Sequence, residues 1–192
     1  MHKFMGDPYY SQGELENFGF KHLGKNVKIK TNVGIYFPEN LSIGDHSRID
    51  DFCIITSHGA HCEIGNHVHI ASHCVLLAKA GFTIKDFSTF SPMVTIVTNS
   101  DDYTGIRLTN STVPRHLTGG KEGRVILEKH VIIGTQSVIF PNLTIGEGSS
   151  VGAMSLVNKS LESWGVYCGI PAKKIKDRSK NILELEKQVL DQ

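Results

Sequence analysis

The chain has 192 residues and charges that nearly cancel, leaving a formal net charge of +1. That balance gives no electrostatic footprint for nucleic acid, and no apolar run approaches the roughly 18 residues that cross a membrane. The length suits one domain, 1–192, with a continuous core. Met1–Tyr10 lacks the basic and apolar regions of a signal peptide, so the chain reads as cytoplasmic.

An N-terminal helical segment over 1–22 comes first. Ser11 and Glu14 have the spacing of a capping box, which predicts a short helix over about 12–19. Near residue 23 a six-residue beat begins weakly at Leu23, Ile29 and Ile35, then strengthens at Ile43, Ile49 and Ile55. Three extra residues around His58–Ala60 interrupt it, Ile64, Ile70 and Leu76 resume it, and a slip through Lys79–Gly81 precedes Ile84, Phe90 and Ile96. From about Asn99 to Gly123 the beat vanishes, which predicts an excursion loop over about 99–124. It returns without a break at Leu127, Ile133, Ile139, Ile145, Val151 and Val157. The coiled part is therefore placed at 23–175. A C-terminal helix is placed at 176–192, with Ile182, Leu185 and Val189 at helical spacing.

A period of six fits neither a helix at 3.6 nor a strand at 2. It fits an all-β solenoid of parallel strands, in which each hexad is a short strand and a bend and three hexads close one triangular coil of about 18 residues. The branched aliphatic residue points inward. Glycine follows at Gly134, Gly146 and Gly152, and a small residue sits four places on at Ser137, Ser149 and Ser155. Cys53, Cys62 and Cys74 fall on that small inward position, where a free thiol packs as a small core residue. There is no C-x-x-C pair, and Cys168 has no assigned place.

The run from Ile133-Gly-Thr-Gln-Ser-Val to Val157-Asn-Lys, followed by Gly169-Ile-Pro-Ala-Lys-Lys-Ile175, resembles the hexapeptide-repeat acyltransferases. It is most similar to the sugar and nucleotide-sugar acetyltransferases of surface-polysaccharide pathways, whose loop begins like Asp101-Asp102-Tyr103-Thr-Gly105. The resemblance covers about residues 23–178. It implies a left-handed parallel β-helix, a homotrimer, acetyl-CoA as donor without a metal, and active sites between subunits. It also implies a groove for coenzyme A lined by Gly134, Thr135, Gly152, Ala153, Asn158 and Lys159, with Lys173 and Lys174 toward its phosphates.

Acyl transfer needs a proton removed from the acceptor, and histidine is the usual base. The loop histidine of the sugar O-acetyltransferases is missing from Thr98–Tyr103, which favours an amino-sugar acceptor over a hydroxyl. Histidines are dense earlier, at His58, His61, His67, His69 and His73. His69 is the candidate base, pointing out from a corner, with Asp102 as its catalytic companion. Asp101, Tyr103, His58 and His61 are candidate acceptor contacts, and Gly81 a candidate oxyanion donor. For the aspartates the bland alternative is turn chemistry. The rival functions are galactoside- or maltose-type O-acetyl transfer to a free glycoside, a metal hydratase like the γ-class carbonic anhydrases, and a non-catalytic scaffold.

Overall fold

Stacking like on like is what a six-residue beat permits, and the register carries it out. The structure, a computed structural model, describes residues 9–191. The N-terminal stretch judged for a signal peptide lies, up to Pro8, outside the described residues, as does Gln192. The chain is a left-handed parallel β-helix of about seven turns with two helices. Its first face stacks strands 22–23, 41–43, 62–64, 82–84, 125–127 and 143–145. The second stacks 28–29, 48–49, 69–70, 89–90, 132–133, 150–151 and 165–168, and the third 34–36, 54–56, 75–77, 95–97, 138–139 and 156–157. On the second face Ile49, Ile70, Phe90, Ile133 and Val151 lie one above the other.

The inserted residues alter coil length and not register. Ile64 still sits on Ile43, and Ile84 pairs with Leu127 across the whole excursion. The column of inward aliphatics is buried. The small position beside it does more than fit. Ser47, Ser137 and Ser149 donate to the carbonyls of Gly65, Gly152 and Glu162 at 2.7, 3.0 and 2.7 Å. Cys53 and Cys74 likewise donate to the carbonyls of Ala71 and Ser91. Among the described residues no buried side-chain nitrogen or oxygen lacks a partner, which spares the core the cost of unpaired polar groups. A hydrogen bond with the Cys74 thiol, and burial after it, push the Cys53 thiol up, consistent with a packing role.

The faces meet at three corners, and each corner turns on a residue with positive φ. At the first corner, between the first and second faces, these are Asn26, His46, His67, Phe87, His130, Gly148 and Trp164. At the second they are Phe52, His73, Met93, Gln136 and Met154; at the third, Phe37, Gly59, Gly81 and Asn142. Bulky residues are uncommon in this conformation. At the first corner the rings compensate by stacking, His46 on His67 at 4.9 Å, His67 on Phe87 at 4.8 Å and Phe87 on His130 at 5.3 Å.

The ends depart from the expected bounds. The N-terminal helix α1 is Gln12–Glu16, shorter than expected, and its capping box is formed. After Cys168 the chain does not add another coil. It reverses, and Lys173–Asp177 runs antiparallel along Gly165–Cys168. The C-terminal helix α2 is Ile182–Leu190. Glu186 clasps Lys129 at 3.0 Å and His130 at 2.9 Å, while Ile182, Leu185 and Val189 border a cleft with Phe87, Val131 and Ile132. Arg178 fixes the return by donating to the carbonyls of His130 and Gly148.

Candidate functional site

Directly after the inward residue of the second face, each coil enters the second corner. Asp50, Ala71, Ser91, Gly134 and Gly152 occupy that place in successive coils. Their amides donate upward to Ile70, Phe90, Ile133, Val151 and Tyr167, forming one column. The glycines of the column are required by packing. A Cβ on Gly134 would fall 2.4 Å from the Ala153 nitrogen, and one on Gly152 would fall 2.9 Å from the Cys168 side chain. Thr135 donates to the Pro92 carbonyl at 2.6 Å, and Ala153 is exposed beside it. Four of the residues assigned to coenzyme A therefore share one corner, and their narrowness leaves a flat wall. Asn158 and Lys159 stand instead at the third corner, both exposed. Lys173 and Lys174 lie on the antiparallel return, where Lys174 pairs with Asp177 at 2.8 Å.

At the third corner the excursion leaves on a two-stranded stem. Asn99–Asp101 pairs antiparallel with Gly120–Glu122. The two loop aspartates part company here. The Asp102 carboxylate accepts from the Thr104 hydroxyl at 2.6 Å, the Thr104 amide at 2.8 Å and the Arg107 amide at 2.8 Å. Those bonds, the Thr104 hydroxyl foremost, hold its carboxyl below the usual range. Asp102 is thus spent on shaping the loop, and the turn chemistry weighed against its catalytic assignment accounts for every bond it makes. Asp101 is exposed, accepts from the Asn110 amide at 3.3 Å, and faces a cleft with Lys79 and Arg115. Tyr103 is 88% exposed. It presents its ring away from its own chain.

The histidines expected as a cluster are scattered over the prism. His67 is at the first corner, His73 at the second and His58 at the third. His61 holds the Asn40 carbonyl through Nδ1 at 3.1 Å. His69 does not stand at a corner. It is a strand residue of the second face, and its Nε2 meets Asp50 Oδ2 at 2.8 Å. Partial burial works to raise the Asp50 carboxyl, but hydrogen bonds from Arg48 and His69 outweigh it and hold it low. His69 lies one coil, ~5 Å, and Asp50 two coils, ~10 Å, below Ser91. Among the described residues no group of three His, Cys, Asp or Glu is placed to hold a metal. Gly81 is also committed: its amide donates to Ala78 within the turn, and Arg124 packs against it, donating to the His61 carbonyl at 2.8 Å. An oxyanion would have to displace that turn bond.

These features can be set beside known proteins. A dTDP-4-amino-4,6-dideoxy-D-glucose acyltransferase from Escherichia coli is 39% identical over 178 residues, 93% of each chain. AntD, an N-acyltransferase from Bacillus cereus solved with dTDP and coenzyme A, is 44% identical, with a TM-score of 0.93 over 96% of this chain and 98% of that one. The chain belongs to the hexapeptide-repeat acyltransferases. It is an acyltransferase with an acyl-CoA as co-substrate. A hexapeptide-repeat acetyltransferase from Vibrio cholerae, VCA0836, bound to acetyl-CoA, shares the fold at 24% identity and a TM-score of 0.62, over 88% of this chain and 80% of that one. No protein-family model matches the chain. Other AntD structures hold dTDP-4-amino-4,6-dideoxyglucose with coenzyme A, or dTDP with 3-hydroxybutyryl-CoA. In several AntD structures one serine, or one aspartate ten positions beyond it, has been replaced. In the present sequence Ser91 and Asp101 are the only serine and aspartate with that spacing. Sequence reasoning passed over Ser91. Its one signal was a hydroxyl residue at the place where the later coils carry glycine.

Proposed function

We propose that this enzyme transfers an acyl group from coenzyme A to the amine of a nucleotide-linked amino sugar, in a site formed where two copies meet. The supporting observation is the placement of Ser91 and Asp101. They open and follow the same third-face strand, so in one chain they are separated by about five extended residues, or ~17 Å. Two groups that serve one small amine must then come from different copies, the second corner of one against the third corner of its neighbour. The exposed apolar residues of the third face, Tyr36, Ile54 and Leu77, and those of the loop, Ile106 and Leu108, support such an assembly. A closed homotrimer satisfies it with three equivalent sites.

In this reading the acyl-CoA lies against Gly152, Ala153, Gly134 and Thr135, with its thioester toward Ser91. The partner's loop brings the sugar amine to Asp101. The carboxylate holds the ammonium and relieves it of a proton, the amine nitrogen attacks the thioester carbon, and an oxyanion forms. Collapse breaks the C–S bond, the nitrogen gives its second proton to the departing coenzyme A thiolate to leave the amide and the free thiol, and the proton held by Asp101 passes to solvent. The Ser91 hydroxyl steadies the thioester oxygen or the amine as charge develops. An amine sheds its proton far more readily than a hydroxyl, so the loop needs no histidine. His69, held by Asp50, serves the acceptor from below rather than acting as the base. Four free cysteines agree with a cytoplasmic setting, and no helix among the described residues is long and apolar enough to cross a membrane.

Thiol release from acetyl-CoA and from 3-hydroxybutyryl-CoA, measured against dTDP-4-amino-4,6-dideoxyglucose and its 4-hydroxy counterpart, tests the reading. Release that depends on the amine is expected. Equal release with the hydroxyl compound, or with a free glycoside, would replace it by O-transfer.

A further inference from the structure

Two rings remain that the fold does not need where they are. Phe37 and Phe52 both turn at positive φ, 63° and 61°, a conformation that asparagine or glycine adopts at less cost. Yet they are 42% and 55% exposed. Each leans on a histidine one coil above, Phe37 on His58 at 4.6 Å and Phe52 on His73 at 5.0 Å. The similar ring ladder of the first corner runs beside α2, with His130 buried at its end. Among the described residues Phe37 and Phe52 stay exposed at these two pairs.

Their positions are not arbitrary. Phe52 and His73 stand on the second corner, two coils and one coil below Ser91. Phe37, His58 and Lys79 stand on the third corner, three, two and one coils below the strand that leads to Asp101. These are the two corners that a site between copies brings face to face. The third-corner wall is also braced. The Ser57 hydroxyl donates to the Phe37 carbonyl at 2.6 Å, Asn40 Nδ2 donates to the Ser57 carbonyl at 3.0 Å, and His61 holds the Asn40 carbonyl. The three-residue insertion that carries His58 gives that ring its reach over Phe37.

We infer that these two ring pairs, one from each copy, hold the nucleobase of the acceptor between them, with Lys79 facing its diphosphate. This rests on the proposed amino-sugar reading and deepens it. The dimensions agree. Coils repeat at ~4.8 Å, so the four rings span about 5–14 Å below the amine site and Lys79 lies about 5 Å below it. A sugar, a diphosphate and a ribose span a similar length. Lys79 sits in the cleft that Asp101 lines, together with Arg115 and Lys121, where it pairs with Glu122 at 2.6 Å and would exchange that partner for the diphosphate. An aromatic face binds any base by stacking, while the cations recognise the diphosphate.

Calorimetric titration of the full chain with dTDP, and separately with coenzyme A, decides it. Phe37→Ala and Phe52→Ala should each weaken dTDP by about tenfold, as expected for one base–ring contact, and leave coenzyme A unchanged. Phe37→Trp should retain dTDP affinity within about twofold. Lys79→Ala should weaken dTDP and reduce its salt dependence. Coenzyme A affinity reports the fold; should Phe37→Ala lose both ligands, Phe37→Leu keeps the apolar bulk without a flat ring and carries the same expectation. Parent-like dTDP affinity in either alanine variant with coenzyme A intact overturns the two-walled site and leaves the acyl-transfer reading standing. A parent protein that binds coenzyme A but not dTDP overturns both.

Discussion

The prism and the excursion loop are held together in opposite ways. In the prism nearly every stabilising contact is to a coil above or below, 13 or more residues away, through stacked aliphatics and hydroxyl-to-carbonyl bonds. In the loop the carboxylates and amides bond within a few residues. Asp102 reaches Thr104 and Arg107, Asn110 reaches Thr112, and the loop's apolar side chains stay exposed. The prism supplies rigidity and a regular wall. The loop is a preformed shape whose apolar surface waits for another molecule. Chemistry belongs at the seam, where a wall of fixed geometry meets a group that its own chain does not cover.

The contrast can be broken most forcefully from the prism side. Phe90→Ala removes a fully buried ring from the second-face column and should cost about 3–5 kcal/mol of stability, read as a lower midpoint in denaturant, with kcat falling only as the folded fraction falls. A cost under about 1 kcal/mol would mean that the column does not carry the fold. The loop should respond the other way. Asp102→Ala should lower kcat/KM by about tenfold to a hundredfold, because a displaced Asp101 is misaligned with the acceptor, while the thermal midpoint hardly moves. A variant with parent-like kinetics would show that the loop's internal bonds do not position Asp101.

The smallest effect is expected at α2, which borrows from both regimes. Partial burial tends to raise the Glu186 carboxyl, but Lys129 and His130 more than compensate and hold it below its ordinary value. A carboxyl lowered on folding contributes fully above its ordinary range and loses that contribution as the pH falls through the lowered value. Protease sensitivity of the last residues should therefore rise on acidification below the ordinary carboxylate range. Glu186→Gln should show raised sensitivity already at neutral pH and a flatter profile. An unchanged profile in that variant would remove the ion pair from the docking of α2.

Much of the prism was legible because a period of six leaves a mark in every coil. Even the interruptions could be placed, since Ile64 had to land on Ile43 and Leu127 on Ile84. The corner residues were less legible. His46, His67, His73 and His130 fall three places after an inward aliphatic, where the backbone turns at positive φ, and histidine tolerates that turn better than most residues. Of the histidines whose density suggested catalysis, His67 and His73 thus follow a geometric habit of the coil. The reversal of Lys173–Asp177 left no periodic signal, since one antiparallel strand has no repeat to betray it. Ser91 escaped because its meaning depends on a column of residues about 20 or 40 positions apart, and on a second copy that no single sequence displays.

The sharing of one site between two copies is tested most directly by mixing two inactive variants. Ser91→Ala and Asp101→Ala, each purified, should lose most activity. Unfolded together and refolded in equal amounts, they should recover about a quarter of parental turnover, since random assembly leaves that fraction of contacts with both groups intact. A refolded mixture in which copies have exchanged, yet which stays as inactive as either variant alone, would place both groups in one chain's own site and contradict this account.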